Sequence, residues 1–416
     1  MLGGASTIGG VALGYDNGIS GMWLVFWIGM GVIALGILMS SRLSRLGVYT
    51  FSEMLENRYG AASRLISAII IAAYALMIAV TSTIAIGTVF NVVLPLSPSV
   101  AILVAGGIVV AYSVAGGMWS ITLTDIIQFC IMTVGIFFLL LPLSISAAGG
   151  LSGMQEALPA SYFDITAIGW QTIFTYFLLF FFGLMIGQDI WQRVFTARSP
   201  AIARWGSVAA GIYCLLYAMA GALVGTAARV MLPDIQADNA FARIATEALP
   251  VGITGLVLAA ALAAVMSTAS AGLLASSTIL ANDVYAGFIG RGDHDKVLVS
   301  RVTTLLVGIV ILVMSLIVSD VVGALTVAYD LLSGALFVPI VGALFWRRAT
   351  AAGALASMAA GSVVVVIFMV MDGLFANTPI IWGMLASLVV FVVVSLLTPR
   401  PSEDRMRTWE RRLTGS

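Results

Sequence analysis

The chain has 416 residues, of which 61% are apolar and only 9% charged, where soluble proteins carry about 25% charged residues. A mean hydropathy of +1.10 excludes a soluble globular enzyme. Recurring apolar runs, each long enough to cross a bilayer as a helix, imply an all-α polytopic membrane protein. A β-barrel would instead alternate polar and apolar residues in short segments. A net charge of +0 argues against a nucleic-acid partner.

In chain order, hydropathy predicts spans at 20–41, 64–93, 99–116, 121–143, 168–190, 205–231, 250–281, 298–319, 322–346, 350–371 and 379–397. A shorter, Gly-rich stretch at 1–18 precedes them. With the loop holding Arg42, Arg45, Arg58 and Arg64 on the cytoplasmic side, alternation puts all of the 19 Lys and Arg residues inside except Arg229 and Arg243. Cytoplasmic loops are enriched in these residues, so a multi-pass plasma (inner) membrane protein with its C-terminus in the cytoplasm is expected. The outside loops 144–167 and 232–249 carry Glu156, Asp164, Asp234, Asp238 and Glu247.

Cys130 and Cys214 both lie within apolar runs and read as small lipid- or core-facing side chains. The single histidine, His294, sits in the charged loop GRGDHDK. One histidine without a cysteine or carboxylate cluster makes no transition-metal site. HExxH, GxSxG and P-loop patterns are all missing from the sequence, so neither a membrane protease nor an ATP-driven pump has a motif to stand on. No enzyme activity and no cofactor are expected.

Three stretches depart from the Leu, Val, Ile and Ala filler. They are GGASTIGG (3–10), FLLFFFGLMIGQDIWQR (177–193) and AAALAAVMSTASAGLLASS (259–277). Tight helix packing favours small residues and accounts for many such stretches. The first two, however, open two successive groups of five spans, and Gly-interrupted helices at matching places in two halves point to a transporter binding site. In the third, Ala264, Ser267 and Thr268 are spaced i, i+3, i+4 and share one helix face. A backbone carbonyl and two hydroxyls suit a weakly held monovalent cation such as Na⁺, whereas Ca²⁺ sites recruit carboxylates. Ser and Thr on a helix also bond back to the preceding turn. Asp189 and Arg193, four residues apart, read as an ion pair at the cytoplasmic end of a span.

At these residues the sequence resembles the solute:sodium symporter family, which includes sodium/proline, sodium/pantothenate and sodium/glucose transporters. The matching pieces are GGASTIGGVALGYDNGISGMW (3–23), YSVAGGMWSITLTDIIQ (112–128), GQDIWQR (187–193), LAAVMSTASAGLLASSTILANDVY (262–285) and a stretch ending LFWRR (344–348). The resemblance implies two inverted five-helix repeats, 1–143 and 168–346, two accessory helices at 350–397 and a cytoplasmic tail at 398–416. It places the principal sodium site at the Ala264 carbonyl and the Ser267 and Thr268 hydroxyls, with Leu2 matching one of two carbonyls from the first repeat helix. Asp125 and Ser270 match a second sodium site that some members use. Asp125, in TDIIQ, also fits a helix N-cap with Gln128 reaching back. For the solute, the resemblance and the two breaks point to Ser6, Thr7, Phe181, Phe182, Met185 and Gln188. Aromatic residues there also serve as ordinary lipid or core contacts.

One departure from the family pattern stands out. Members carry a whole helix before the repeat, and their first repeat helix begins well before its break, so this chain is expected to be N-terminally truncated.

The implied function is secondary active transport, in which inward sodium flow drives uptake of a small organic solute by alternating access. The implied partners are sodium, the solute and the lipid bilayer, with no obligatory protein partner. The alternatives are a transporter-like membrane sensor, a non-transporting fragment, or a channel, for which no selectivity filter is visible. No Lys or Arg lies mid-span near the breaks. An anionic solute would therefore be held by helix N-termini, hydroxyls or sodium itself.

Overall fold

Four helices begin where a hydroxyl side chain caps the first turn. Ser97 and Ser199 each precede a proline, and their hydroxyls accept from the amides of Val100 (3.4 Å) and Ile202 (3.2 Å). Proline has no N–H to leave orphaned at a helix start. Thr50 accepts from the Glu53 amide at 3.2 Å and Thr350 from that of Gly353 at 3.1 Å. The computed structural model describes residues 2–48, 50–94, 96–195, 197–285, 296–318 and 320–414. The side chains of residues 93, 116–125, 285, 296 and 414 lie outside that description. Among the described residues every regular element is helical.

The Gly-rich opening is itself a helix, α1 (5–17), which starts as a π-helix over Ala5–Gly9 and continues over Gly10–Asn17. At Gly18 the backbone takes φ 62°, a conformation glycine adopts without the Cβ penalty. The chain turns back there into α2 (Trp23–Leu38). Next come the short α3 (Phe51–Tyr59), the long α4 (Ala61–Val93) and α5 (Pro98–Thr133). A π-helical stretch, Val134–Leu140, carries α5 into α6 (Leu141–Ala147). Two separate spans were expected at 99–116 and 121–143, but helical backbone continues between them. The apolar stretches themselves remain two, Pro98–Ala115 and Ile126–Ala147.

The fifth expected span is broken. It comprises α7 (Trp170–Tyr176), a π-helical stretch Phe177–Phe181, α8 (Phe182–Ile186) and, past Gly187, α9 (Gln188–Phe195). Besides short loop helices such as Gly150–Ala157 and Ala240–Ala248, there follow α10 (Pro200–Met231), α11 (Val251–Ile279), α12 (Lys296–Ile317), α13 (Val321–Phe345), α14 (Ala351–Asp372), α15 (Thr378–Leu397) and α16 (Glu403–Thr414). All seven fall within a few residues of the sequence expectation except α16, which lies in the expected tail.

The described residues include eleven stretches long and apolar enough to cross a membrane. α4 and α13 are the most enclosed of them. α12, α14 and α15 instead turn residues such as Leu306, Val313, Val370, Trp382 and Leu397 outward. So large an apolar girdle has no place in water and fits acyl chains.

The two ends of the bundle differ in charge. At the basic end, Asp283, just past α11, accepts from Arg64 (2.7 Å) and from Ser52 on α3, while Arg64 also pairs with Glu56 at 2.8 Å. Arg58 is buried and donates to the carbonyls of Ala349 (3.0 Å) and Arg347 (3.4 Å). Burial pushes the Arg58 guanidinium below its ordinary pKa. The tail does not hang free here, because α16 buries Met406 and Trp409 and the indole N–H of Trp409 donates to Ala343 at 3.0 Å. At the opposite end Asp16, Asp238 and Asp320 line a cavity of about 300 Å³.

Candidate functional site

The first wall of the site is backbone. A Cβ on Gly3 would fall 2.5 Å from the Thr268 Cβ, and one on Gly4 would fall 2.7 Å from the Ala85 Cβ. Residues 3 and 4 are therefore wedged between α11 and α4, where only glycine fits. The Gly3 carbonyl accepts from the Thr7 amide at 2.9 Å. The Thr7 hydroxyl lies 2.8 Å from that of Tyr217 on α10, and 3.5 Å from the Leu2 carbonyl.

The second wall comes from α11. Thr268 lines the central cavity, and its hydroxyl sits 3.5 Å from the Ala264 carbonyl, one turn back. The Ser270 hydroxyl donates to the Ser267 carbonyl at 3.1 Å. Farther along the helix the small residues do pack. Gly272 lies against the backbone of Ala75 and Ala79, and Ser276 donates to the Ala72 carbonyl at 3.1 Å. One small-residue helix thus serves both ends, lining a cavity at Thr268 and packing on α4 below it.

The third wall is the break between α8 and α9. Gly187 takes an extended conformation (φ −65°, ψ 121°), which releases carbonyls from the helical ladder. The indole of Trp191 reaches back across the gap to the Met185 carbonyl at 2.8 Å and satisfies one of them. Asp189 then enters the site. Tyr74 on α4 donates to its carboxylate at 3.1 Å and lies 3.1 Å from the Tyr329 hydroxyl on α13. The Tyr329 ring is seated on Gly183, whose Cβ would fall 2.2 Å from the ring. Asp189 and Tyr329 line the same cavity as Gly3, Ser6, Thr81, Ser82 and Thr268. Its volume is about 20 Å³, enough for a water or a bare ion and too small for an organic solute.

The expected ion-pair role of Asp189 does not hold. Arg193 donates to the Asp189 backbone carbonyl at 2.7 Å, while the carboxylate is turned toward Tyr74 and the cavity. The reason is tertiary, since a buried phenol offers the carboxylate a donor inside the bundle. Of the expected solute contacts, Ser6 lines the cavity. Gln188 instead accepts from the Phe51 amide at 2.9 Å, holding α3 against the second half of the broken helix. Phe181 and Phe182 pack with Trp27, Phe177 and Phe337 in an aromatic cluster, and Met185 is buried. Asp125, expected at a second sodium site with Ser270, has its side chain outside the described residues.

Two further polar groups escaped the sequence reading. Asp330, in the middle of α13, is fully buried, and neither of its carboxylate oxygens has a hydrogen-bond partner among the described residues. The hydroxyl of buried Thr175 on α7 is likewise unpartnered. An acidic residue within a span is itself a signal of function, and that rule would have flagged both Asp189 and Asp330.

This arrangement of an N-terminal segment and a helix break facing a hydroxyl-lined helix has known counterparts. A family model for the sodium:solute symporter family matches residues 1–361. The chain belongs to that family. The symporter is 28% identical to the high-affinity proline transporter PutP of Bacillus subtilis (strain 168), over 94% of this chain and 86% of that one. It is 25% identical to the sodium/pantothenate symporter of Escherichia coli (strain K12), over 94% of this chain and 84% of the relative. Among solved structures, a substrate-bound, outward-open Na⁺-coupled sialic acid symporter superposes with a TM-score of 0.78 at 17% identity, covering 96% of this chain and 88% of that one. The protein is thus an integral membrane symporter that couples sodium to the transport of a small solute, and not an enzyme.

Proposed function

We propose that the coupling sodium lies between the N-terminal segment and α11, held by the Ala264 carbonyl, the Ser267 and Thr268 hydroxyls and the Leu2 carbonyl. The observation that carries this reading is the seat of the Gly3 backbone directly on Thr268 at the edge of an ion-sized cavity. A cation there is attracted to oxygens from two elements that alternating access must separate. Binding sodium therefore favours their closed arrangement, and releasing it frees them to part. A membrane potential negative inside adds about 2.3 kcal/mol per charge per 100 mV to the driving force for sodium entry.

The solute is assigned to the same central cavity, between Ser6 at the first break and the α8–α9 break, once the bundle opens. The two breaks fall in two inverted repeats, 1–143 and 168–346, and α14 and α15 are accessory. The basic end, with Arg58 and Arg64, faces the cytoplasm of a plasma membrane, and the acidic end with Asp238 faces outward. A second sodium site at Asp125 and Ser270 fits the same scheme.

Reconstituted vesicles supplied with radiolabelled proline, pantothenate or glucose on the outside, under an imposed inward sodium gradient, test this. Accumulation that requires sodium and collapses when potassium replaces it is the expected result. Accumulation indifferent to sodium would contradict it. A reporter fused after Arg348 is expected to read cytoplasmic and one inserted near Asp238 external. A reversed reading at either site would overturn the orientation.

A further inference from the structure

The central cavity holds one formal charge, and it is negative. Asp189 stands at the break between α8 and α9 with Tyr74 donating to its carboxylate at 3.1 Å, and the ring-bearing Tyr329 beside both. Among the described residues the cavity lining includes no Lys or Arg. The cavity at the acidic end repeats the pattern, with Asp16, Asp238 and Asp320 and again no basic residue in its lining. The same two helices serve both cavities. α1 contributes Ser6 to the inner and Leu13 and Asp16 to the outer, while α13 contributes Tyr329 to the inner and Thr326 to the outer. On a helix, seven residues from Ser6 to Leu13 span about 10 Å. The outer cavity thus stands less than two turns from the inner one.

Resting on the symport reading above, we propose that the solute carries a protonated amine, and that Asp189 is the group that receives it. A carboxylate in a water-poor cavity gains most from a partner of opposite charge, and a charge-assisted N–H···O bond is the strongest ordinary contact available. Tyr329 supplies an aromatic wall, the surface on which ammonium groups are also held. Sodium is already provided with neutral oxygens on α11, on the other side of the cavity. A solute whose only charge is negative would meet repulsion at Asp189, while at the outer cavity Arg229, held over the Tyr15 ring beside Asp16, offsets part of the acidic charge. A zwitterionic amino acid fits, with its carboxylate left to sodium or to the freed amides at the breaks.

The test is ligand binding by the purified protein, read as thermal stabilisation and by calorimetry, in sodium and in potassium. Amines are paired with isosteres that lack the charge: proline with tetrahydrofuroate, and alanine with lactate. The expected result is that amine-bearing members bind and their partners do not. Asp189→Asn, nearly isosteric, is expected to weaken amine binding roughly 10- to 150-fold, well beyond the smaller loss of sodium affinity that follows from removing a charge from the same cavity. Equal binding of amine and isostere, or parental amine affinity in Asp189→Asn, overturns the proposal. So does a loss of sodium affinity in Asp189→Asn, without any ligand, as large as the loss of amine affinity, which would make the carboxylate a sodium ligand. Comparison of amine and isostere on the parent protein keeps the test alive if the variant folds poorly. Amine-selective binding that ignores sodium would sink the symport reading and leave the charge assignment standing. Sodium-dependent binding blind to charge would do the reverse.

Discussion

Asp238 illustrates how position rather than residue type sets behaviour. It lies in the outer acidic cavity, where burial, and then the charges of Asp320 and Asp16, push its carboxyl up from 3.8 to about 6. Between those two values the folded protein keeps a proton that the unfolded chain has already lost. Stability from this group is therefore present below the lower value and is lost as pH rises through about 6. Melting temperatures measured across this window are expected to fall with rising pH more steeply in the parent than in Asp238→Asn. Parallel profiles for the two proteins would contradict that reading. Asp189 makes the same point about position. Its i+4 spacing to Arg193 read as a surface pair, but its carboxylate is engaged by Tyr74, 115 residues away in sequence. No local pattern encodes that partner.

At the scale of elements, the basic end is fastened by groups from four helical segments. Asp283 has only 2% of its side chain exposed and receives Arg64 from α4 and Ser52 from α3, while Gln188 at the start of α9 accepts from Phe51. In the orientation proposed above, opening this end to release sodium would break these contacts together. Removing the charge leaves Arg64 a single carboxylate partner, Glu56, and weakens the fastening. Asp283→Asn is thus expected to raise amide hydrogen exchange over Phe51–Tyr59 by roughly 5- to 150-fold, the equivalent of about 1–3 kcal/mol. Exchange at the parental rate would show that the bridge does not hold α3. The spans around this latch were legible because composition and length alone mark a membrane helix. The glycines, serines and threonines at 3–10 and 259–277 were legible too, because few residue types tolerate close backbone approach. The docking of α16 was not, since a strongly charged segment such as EDRMRTWERRLT reads as a solvated tail until Trp409 finds the Ala343 carbonyl.

For the whole molecule, the fold explains why sodium and solute are coupled. One small cavity is walled by α1, α2, α4, α8, α9, α11 and α13, so anything bound there touches most of the elements that must move. Gly3 on Thr268 is the joint between the N-terminal segment and α11, and the account stands on sodium occupying it. Binding of isotopic sodium to the purified protein tests this most directly, with Ser267→Ala and Thr268→Val as variants. Both nearly preserve volume and delete one oxygen, so packing is largely retained. The account predicts saturable sodium binding weakened roughly 5- to 150-fold in each variant, the effect of losing one ligand worth about 1–3 kcal/mol, with the fold intact. Parental sodium affinity in both variants would contradict it and leave the two hydroxyls as packing groups.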